Sequence, residues 1–66
     1  MNIDNRKAAI RKMDMLLNHL QTTKAYAVEL GLPFSETDSP VAPAMELTLE
    51  MIEALELVLR EVRDQM

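Results

Sequence analysis

The chain has 66 residues and a mass of 7.5 kDa, which corresponds to one small domain. It contains no Cys and only one Gly, which excludes disulfide frameworks, Cys-ligated zinc sites, thiol chemistry and glycine-rich phosphate loops. The composition, with 48% hydrophobic residues and a net charge of -4, is that of a folded domain and not of a disordered chain. Because a core of this size rarely supplies more than about 3–5 kcal/mol, we expect a partner chain to contribute to stability.

The N-terminal segment is not expected to be a targeting signal. Charged residues interrupt it at Arg6, Lys7, Arg11 and Lys12, too early for the apolar region of a signal peptide. No apolar run approaches the roughly 20 residues that a membrane-spanning helix needs. The sequence therefore predicts a cytoplasmic protein without membrane contact.

Residues 4–30 are predicted to form the first helix, because apolar side chains recur at alternating steps of three and four residues. Gly31 tolerates the left-handed conformation that ends many helices, and Pro33 prevents continuation. The predicted apolar seam comprises Ala9, Met13, Leu16, Leu20, Thr23, Ala27 and Leu30, with Ile10 and Leu17 widening it on one side.

Residues 31–42 are predicted to form the connector between two helices. Pro33 and Pro40 lie in this segment together with several small polar residues, a composition typical of loops. Phe34 is its only aromatic residue, and we expect it to cover the end of the helix pair.

Residues 43–65 are predicted to form the second helix, with Pro43 in its first turn. This helix is apolar at twelve of the nineteen positions between residues 44 and 62. Its polar stripe is narrow and comprises Glu46, Glu50, Glu53, Arg60 and Asp64. Two apolar seams run beside each other, one through Met51, Leu55, Val58 and Val62, the other through Met45, Leu49, Ile52, Leu59 and Met66. One neighbouring helix covers one stripe, so a second chain is needed to cover the rest.

The sequence thus predicts an all-α fold, in which residues 1–66 form a single two-helix antiparallel hairpin. Two copies are expected to pair as an antiparallel four-helix bundle. Residues 1–15 and 55–66 hold six basic and five acidic groups, whereas residues 16–54 hold one basic and six acidic groups. This distribution favours loops at opposite ends of the dimer. The predicted dimer or partner interface comprises Met13, Leu20, Met45, Leu49, Met51, Ile52, Leu55, Val58, Leu59 and Val62.

No catalytic, cofactor or metal site is expected. His19 is the only His, and no acidic residue lies three or four positions from it to orient the ring. The acidic series Glu46, Glu50, Glu53 and Glu56 lacks the Glu-x-x-His spacing that di-iron bundles use. The sequence therefore predicts a protein that is not an enzyme and that holds no cofactor.

The preferred functional hypothesis is a small regulatory or interaction protein that acts through helix–helix packing as a homodimer. A second hypothesis is a nucleic-acid-binding hairpin dimer that uses Arg6, Lys7, Arg11 and Lys12 on the first helix. The acidic net charge and the lack of an interleaved aromatic residue weigh against it. A third hypothesis is a small subunit that docks its second helix on a larger hetero-complex.

Overall fold

A computed structural model describes the backbone of residues 3–66 and the side chains of residues 5–66. Helix α1 spans Ile3–Gly31, a short 3-10 helix spans Leu32–Phe34, and helix α2 spans Val41–Asp64. No residue of this described range lies in a strand, so the predicted all-α class with two long helices is confirmed. Contacts between Asp14 and Arg63 and between Gly31 and Met45 show that the helices run antiparallel.

The end of α1 differs from the prediction. Gly31 has φ -74° and ψ -36°, so it continues the right-handed helix and does not adopt the left-handed closing conformation. The chain then tightens into the 3-10 turn, with Pro33 in the first positions of that turn. Gly31 is favourable here for a different reason: a Cβ atom at this position would lie 3.2 Å from the Cβ atom of Met45. The missing side chain therefore lets the two helices approach closely at the loop end.

Helix α2 begins two residues earlier than the predicted position 43. Pro40 takes the N-cap position, and its carbonyl oxygen accepts a hydrogen bond from the Ala44 amide at 3.0 Å. The Val41 amide donates to the Ser39 hydroxyl oxygen at 3.3 Å. The first of these bonds is the first i→i−4 bond of the helix, and the second satisfies an amide group that a helix start otherwise leaves unpaired, which allows the helix to begin at Val41. The predicted 31–42 connector is correspondingly shortened at both ends.

The contact between the helices follows a heptad register. The more buried positions of α1 are Ile10, Met13, Leu17, Leu20, Lys24, Ala27 and Gly31. Their counterparts on α2 are Met45, Leu49, Ile52, Glu56, Leu59 and Arg63, and Met66 continues the register just beyond the end of the helix. We call these two sets the seam. On α1 the seam runs through Leu17 and Lys24 and not through the predicted Leu16 and Thr23, because the side chain of Lys24 pairs with Glu56 between the helices.

The molecule is a thin rod. Its Cα atoms extend over 53 × 15 × 11 Å with a radius of gyration of 15.7 Å, whereas a compact chain of this length has a radius of about 11 Å. The exposed surface is 5258 Å², against about 4,250 Å² for a compact protein of this mass. Among residues 5–66, only Leu17, Ala27 and Ile52 are buried apolar residues. One hairpin alone thus leaves about 1,000 Å² more surface in water than a compact fold would.

Candidate protein-interaction surface

A polar cluster occupies the middle of the seam. Glu56 is 6% exposed, and its carboxylate lies 2.6 Å from the ammonium group of Lys24. The Gln21 side-chain amide donates a hydrogen bond to the other carboxylate oxygen, and Arg60 lies 3.6 Å from that oxygen. The hydrogen bond from Lys24 lowers the pKa of Glu56 below its ordinary value, against the opposing effect of desolvation. Because a buried carboxylate must stay paired, this cluster favours one register of the two helices over shifted ones.

These contacts define one side of the hairpin, which we call the ion-paired flank. Gln21 follows the seam position Leu20 on α1, and Arg60 follows the seam position Leu59 on α2. Both side chains contact Glu56, so the residues that follow seam positions on the two helices lie on the same side of the hairpin. Asp14, one heptad before Gln21, forms an ion pair with Arg63 at 2.9 Å. That ion pair raises the pKa of the Arg63 guanidinium group.

The opposite side of the hairpin is apolar. Leu16 and Leu30 precede seam positions on α1, and Leu55 and Val62 precede seam positions on α2. Because the helices run antiparallel, residues that precede seam positions on either helix lie on one side of the hairpin, opposite the ion-paired flank. These four side chains are 44–51% exposed, and Met51 and Val58 beside them are 64% and 57% exposed. We call this surface the apolar face; it comprises Ala9, Leu16, Thr23, Leu30, Thr48, Met51, Leu55, Val58 and Val62.

The two threonines of the apolar face do not need water as a hydrogen-bond partner. The Thr23 hydroxyl donates to the His19 carbonyl oxygen, and the Thr48 hydroxyl donates to the Ala44 carbonyl oxygen, each at 2.8 Å. Since these hydroxyl groups are satisfied within their own helices, a partner can cover them without leaving an unpaired donor. A partner can therefore cover the whole apolar face without the loss of a hydrogen bond, although two of its residues are polar.

The predicted interface residues fall into two groups. The first group is buried or half-buried within the hairpin seam and comprises Met13, Leu20, Met45, Leu49, Ile52 and Leu59. The second group remains exposed on the apolar face and comprises Met51, Leu55, Val58 and Val62. The structure thus assigns one of the two apolar seams of α2 to the hairpin and leaves the other without a neighbour in the described chain.

Sequence reasoning missed the α1 contribution to this face and the buried cluster. The sequence predicts Leu16 and Leu30 in the contact inside the hairpin, whereas they lie on its apolar face. The buried position of Lys24 and Glu56 could have been predicted, because the two residues keep the heptad spacing of the seam on α1 and on α2. A basic and an acidic residue at facing seam positions predict a buried pair.

The basic residues of α1 lie outside the apolar face. Arg6 donates a hydrogen bond to the main-chain oxygen of Met66, which joins the two ends of the hairpin. Lys7, Arg11 and Lys12 are exposed, and within the described chain they form no ion pair. The structure therefore places these side chains toward the terminal end of the rod.

No metal or small-molecule site stands out in the described residues. Among them, no group of three or more His, Asp or Glu side chains is arranged to hold a metal ion. A shallow groove of about 340 Å³ lies near the loop end, and the polar side chains in its lining are Ser35 and Glu46. A small-molecule site generally needs several convergent polar groups to orient its ligand, and this lining does not supply them.

Comparisons with known proteins add no functional assignment. No family model matches the chain, and neither a curated protein nor a solved structure shows significant similarity to it. Within residues 3–66, neither helix has a stretch long and apolar enough to cross a lipid bilayer.

Proposed function

We propose that this chain is a non-enzymatic interaction protein that acts through helix–helix packing and pairs with a second copy as an antiparallel four-helix bundle. The apolar face carries the proposal. It is built from both helices, and its large aliphatic side chains are about half exposed or more. Contiguous apolar surface of this kind marks interaction sites in small proteins.

The amount of exposed surface supports a partner of similar size. The rod exposes about 1,000 Å² more than a compact protein of its mass. A standard protein–protein interface removes about 800 Å² from each partner. Pairing two copies through the apolar face would therefore bring the exposed surface of each chain close to that of a compact fold.

The charge distribution supports a second copy with its loop at the opposite end. Acidic side chains at the loop half include Glu29, Glu36, Asp38, Glu46, Glu50 and Glu53, and none of them has an ion pair within the described chain. Lys24 is the only basic residue of that half, and it is already bound to Glu56. Loops at the same end would place twelve carboxylates together, whereas opposite ends keep the two acidic loop halves apart.

The proposal is tested by measuring the molar mass in solution by light scattering and sedimentation equilibrium. We expect about 15 kDa, twice the chain mass of 7.5 kDa. Leu55→Asp places a charge on the apolar face and should dissociate the dimer and reduce its helicity. Leu57→Asp is the matched control, because Leu57 is 72% exposed and lies outside that face. A helical chain of 7.5 kDa that stays monomeric at millimolar concentration would contradict the homodimer.

Two other outcomes would point to the alternative functions. An isolated chain that is largely unfolded, and that gains helicity only with a foreign protein, would favour a subunit of a larger complex. Binding to RNA or DNA that persists at about 0.15 M salt, and that Lys7→Glu with Arg11→Glu abolishes, would favour nucleic-acid recognition.

A further inference from the structure

Three regularly spaced side chains border the apolar face on α1. Lys12, His19 and Tyr26 lie seven residues apart, so they form one line along the helix, next to the apolar-face positions 16 and 23. All three are exposed, and Tyr26 is 65% exposed. No hydrogen bond or ion pair within the described chain engages these three side chains. The only tyrosine of the protein is thus left in solvent beside an apolar surface.

His19 lies near the middle of the whole rod, measured from the start of α1 to the loop. Asp14 contacts Arg63, and Gln21 contacts Glu56, so position 19 of α1 lies level with position 58 of α2. These levels are close to halfway between the loop and the terminal end of the hairpin. If two hairpins with opposite loop directions overlap over their whole length, the two-fold axis that relates them passes beside His19.

We infer that the line of Lys12, His19 and Tyr26 packs on the same line of the second copy. This inference rests on the proposed dimer and on its opposite loop directions. Seven residues of helix correspond to about 10.5 Å along the axis. An axis at His19 consequently places Lys12 of one copy level with Tyr26 of the second copy, and the contact occurs twice.

The chemistry of this contact is favourable. An ammonium group over the face of a tyrosine ring is attracted by the ring quadrupole, and the lysine stem covers apolar ring surface. The two His19 side chains meet beside the axis, where each is flanked by Lys12 and Tyr26 of its own helix. The α1 helices would thus close one edge of the bundle with polar side chains, while α2 closes the other with Met51 and Val58.

The alternative dimer, with both loops at one end, predicts different neighbours. It stacks α1 of one copy on α2 of the other copy, because the two-fold axis then runs along the rod. His19 would face Val58 of the second copy, and the two His19 side chains would lie diagonally apart. The two arrangements can therefore be separated by one pair of cysteine probes.

The test uses the full chain, which has no natural Cys. His19→Cys and Val58→Cys variants are oxidised separately and as an equimolar mixture, and the products are identified by non-reducing electrophoresis and intact mass. We expect His19→Cys alone to form a disulfide-linked dimer, since a disulfide needs Cα atoms about 4.4–6.8 Å apart. Light scattering of the reduced variant and its helicity are recorded in parallel.

The outcomes separate this inference from the proposed function. A mixed disulfide between His19→Cys and Val58→Cys chains would overturn the inference. A reduced dimer of 15 kDa whose His19→Cys chains stay unlinked on oxidation would overturn it as well. Neither result would contradict the homodimer. A monomeric reduced chain would overturn the homodimer and the inference together.

A second readout does not depend on cysteine chemistry. Lys12→Ala and Tyr26→Ala should each raise the dimer dissociation constant about 5–30-fold, because each removes two symmetric contacts. Lys7→Ala removes the same charge from the other side of α1 and should change the constant less than about 2-fold. Equal effects of Lys12→Ala and Lys7→Ala would overturn the inference.

Discussion

Leu16 and Leu17 are adjacent residues of the same type that face different neighbours. Leu17 is 8% exposed and lies in the seam, whereas Leu16 is 44% exposed and lies on the apolar face. Replacing each by Ala makes the same chemical change at two positions that differ only in direction. The pair of variants therefore measures which of the two leucines stabilises the hairpin itself.

The expected magnitudes follow from the buried fractions. Leu→Ala removes three carbon groups, which contribute about 2.4 kcal/mol when fully buried. For Leu17, almost all of this is lost, and the better helix propensity of Ala returns a few tenths of a kcal/mol. We expect Leu17→Ala to lower the free energy of unfolding by about 2 kcal/mol, roughly half of what a core of this size supplies.

Leu16→Ala should weaken both the folding of the hairpin and the association of the dimer. The part of Leu16 that the single chain covers corresponds to about 1.3 kcal/mol of unfolding free energy. The exposed 44% corresponds to about 1.1 kcal/mol in each copy when a second chain covers it. Because two copies lose this contribution, the dimer dissociation constant should rise about 30-fold.

The effects on hairpin unfolding and on dimer dissociation can be measured separately. Urea unfolding is followed by circular dichroism at several protein concentrations and is combined with sedimentation equilibrium. Below the dissociation constant, Leu17→Ala should be clearly the more destabilising variant; above it, the difference should shrink. If Leu16→Ala costs as much as Leu17→Ala in the dilute chain, the seam runs through Leu16 and the register described here is wrong.

Three further predictions concern the seam and the face. The pKa of Glu56 is lowered from 4.5 by Lys24, so the stabilisation of the hairpin by this carboxylate is complete above about pH 4.5 and is lost as the pH falls through the lowered pKa. Glu56→Gln should therefore lower the melting temperature at pH 7 and make the melting temperature less dependent on acid pH. An unchanged pH profile of the melting temperature would contradict this. Gly31→Leu should destabilise the hairpin by about 1–3 kcal/mol in urea unfolding, because its side chain meets Met45, while Gly31→Ala should stay within about 1 kcal/mol since helix propensity offsets the close contact. Thr48→Val should tighten the dimer in sedimentation equilibrium, since the Thr48 hydroxyl is bonded within its own helix; a weaker dimer would show that this hydroxyl contacts the partner.

Much of the fold could be predicted from the sequence. Apolar spacing and Pro33 place the two helices to within a few residues, because these signals act locally on the backbone. The conformation of Gly31 could not be predicted in this way. Its closeness to Met45 depends on how the two helices meet, and a glycine in either role looks the same in the sequence.

The candidate surface was only partly predictable. The width of the apolar arc on α2 predicts that Met51, Leu55, Val58 and Val62 exceed what one neighbour covers, and these side chains are exposed in the hairpin. On α1 the apolar residues alone suggest a seam through Leu16. The true register is set by a charged pair in the middle of the contact, and hydrophobic periodicity does not count charged residues as core positions.

The rod shape of the chain has a hydrodynamic consequence. A particle 53 Å long and 15 × 11 Å across experiences more friction than a sphere of the same mass and tumbles faster about its long axis than end over end. On a gel-filtration column calibrated with globular standards, a single chain would elute ahead of its 7.5 kDa mass. Pairing side by side nearly doubles the thickness at little cost in length, so a dimer would deviate less from the calibration than a monomer does. The ratio of frictional coefficients at low and high concentration therefore reports how the hairpins associate, side by side or end to end.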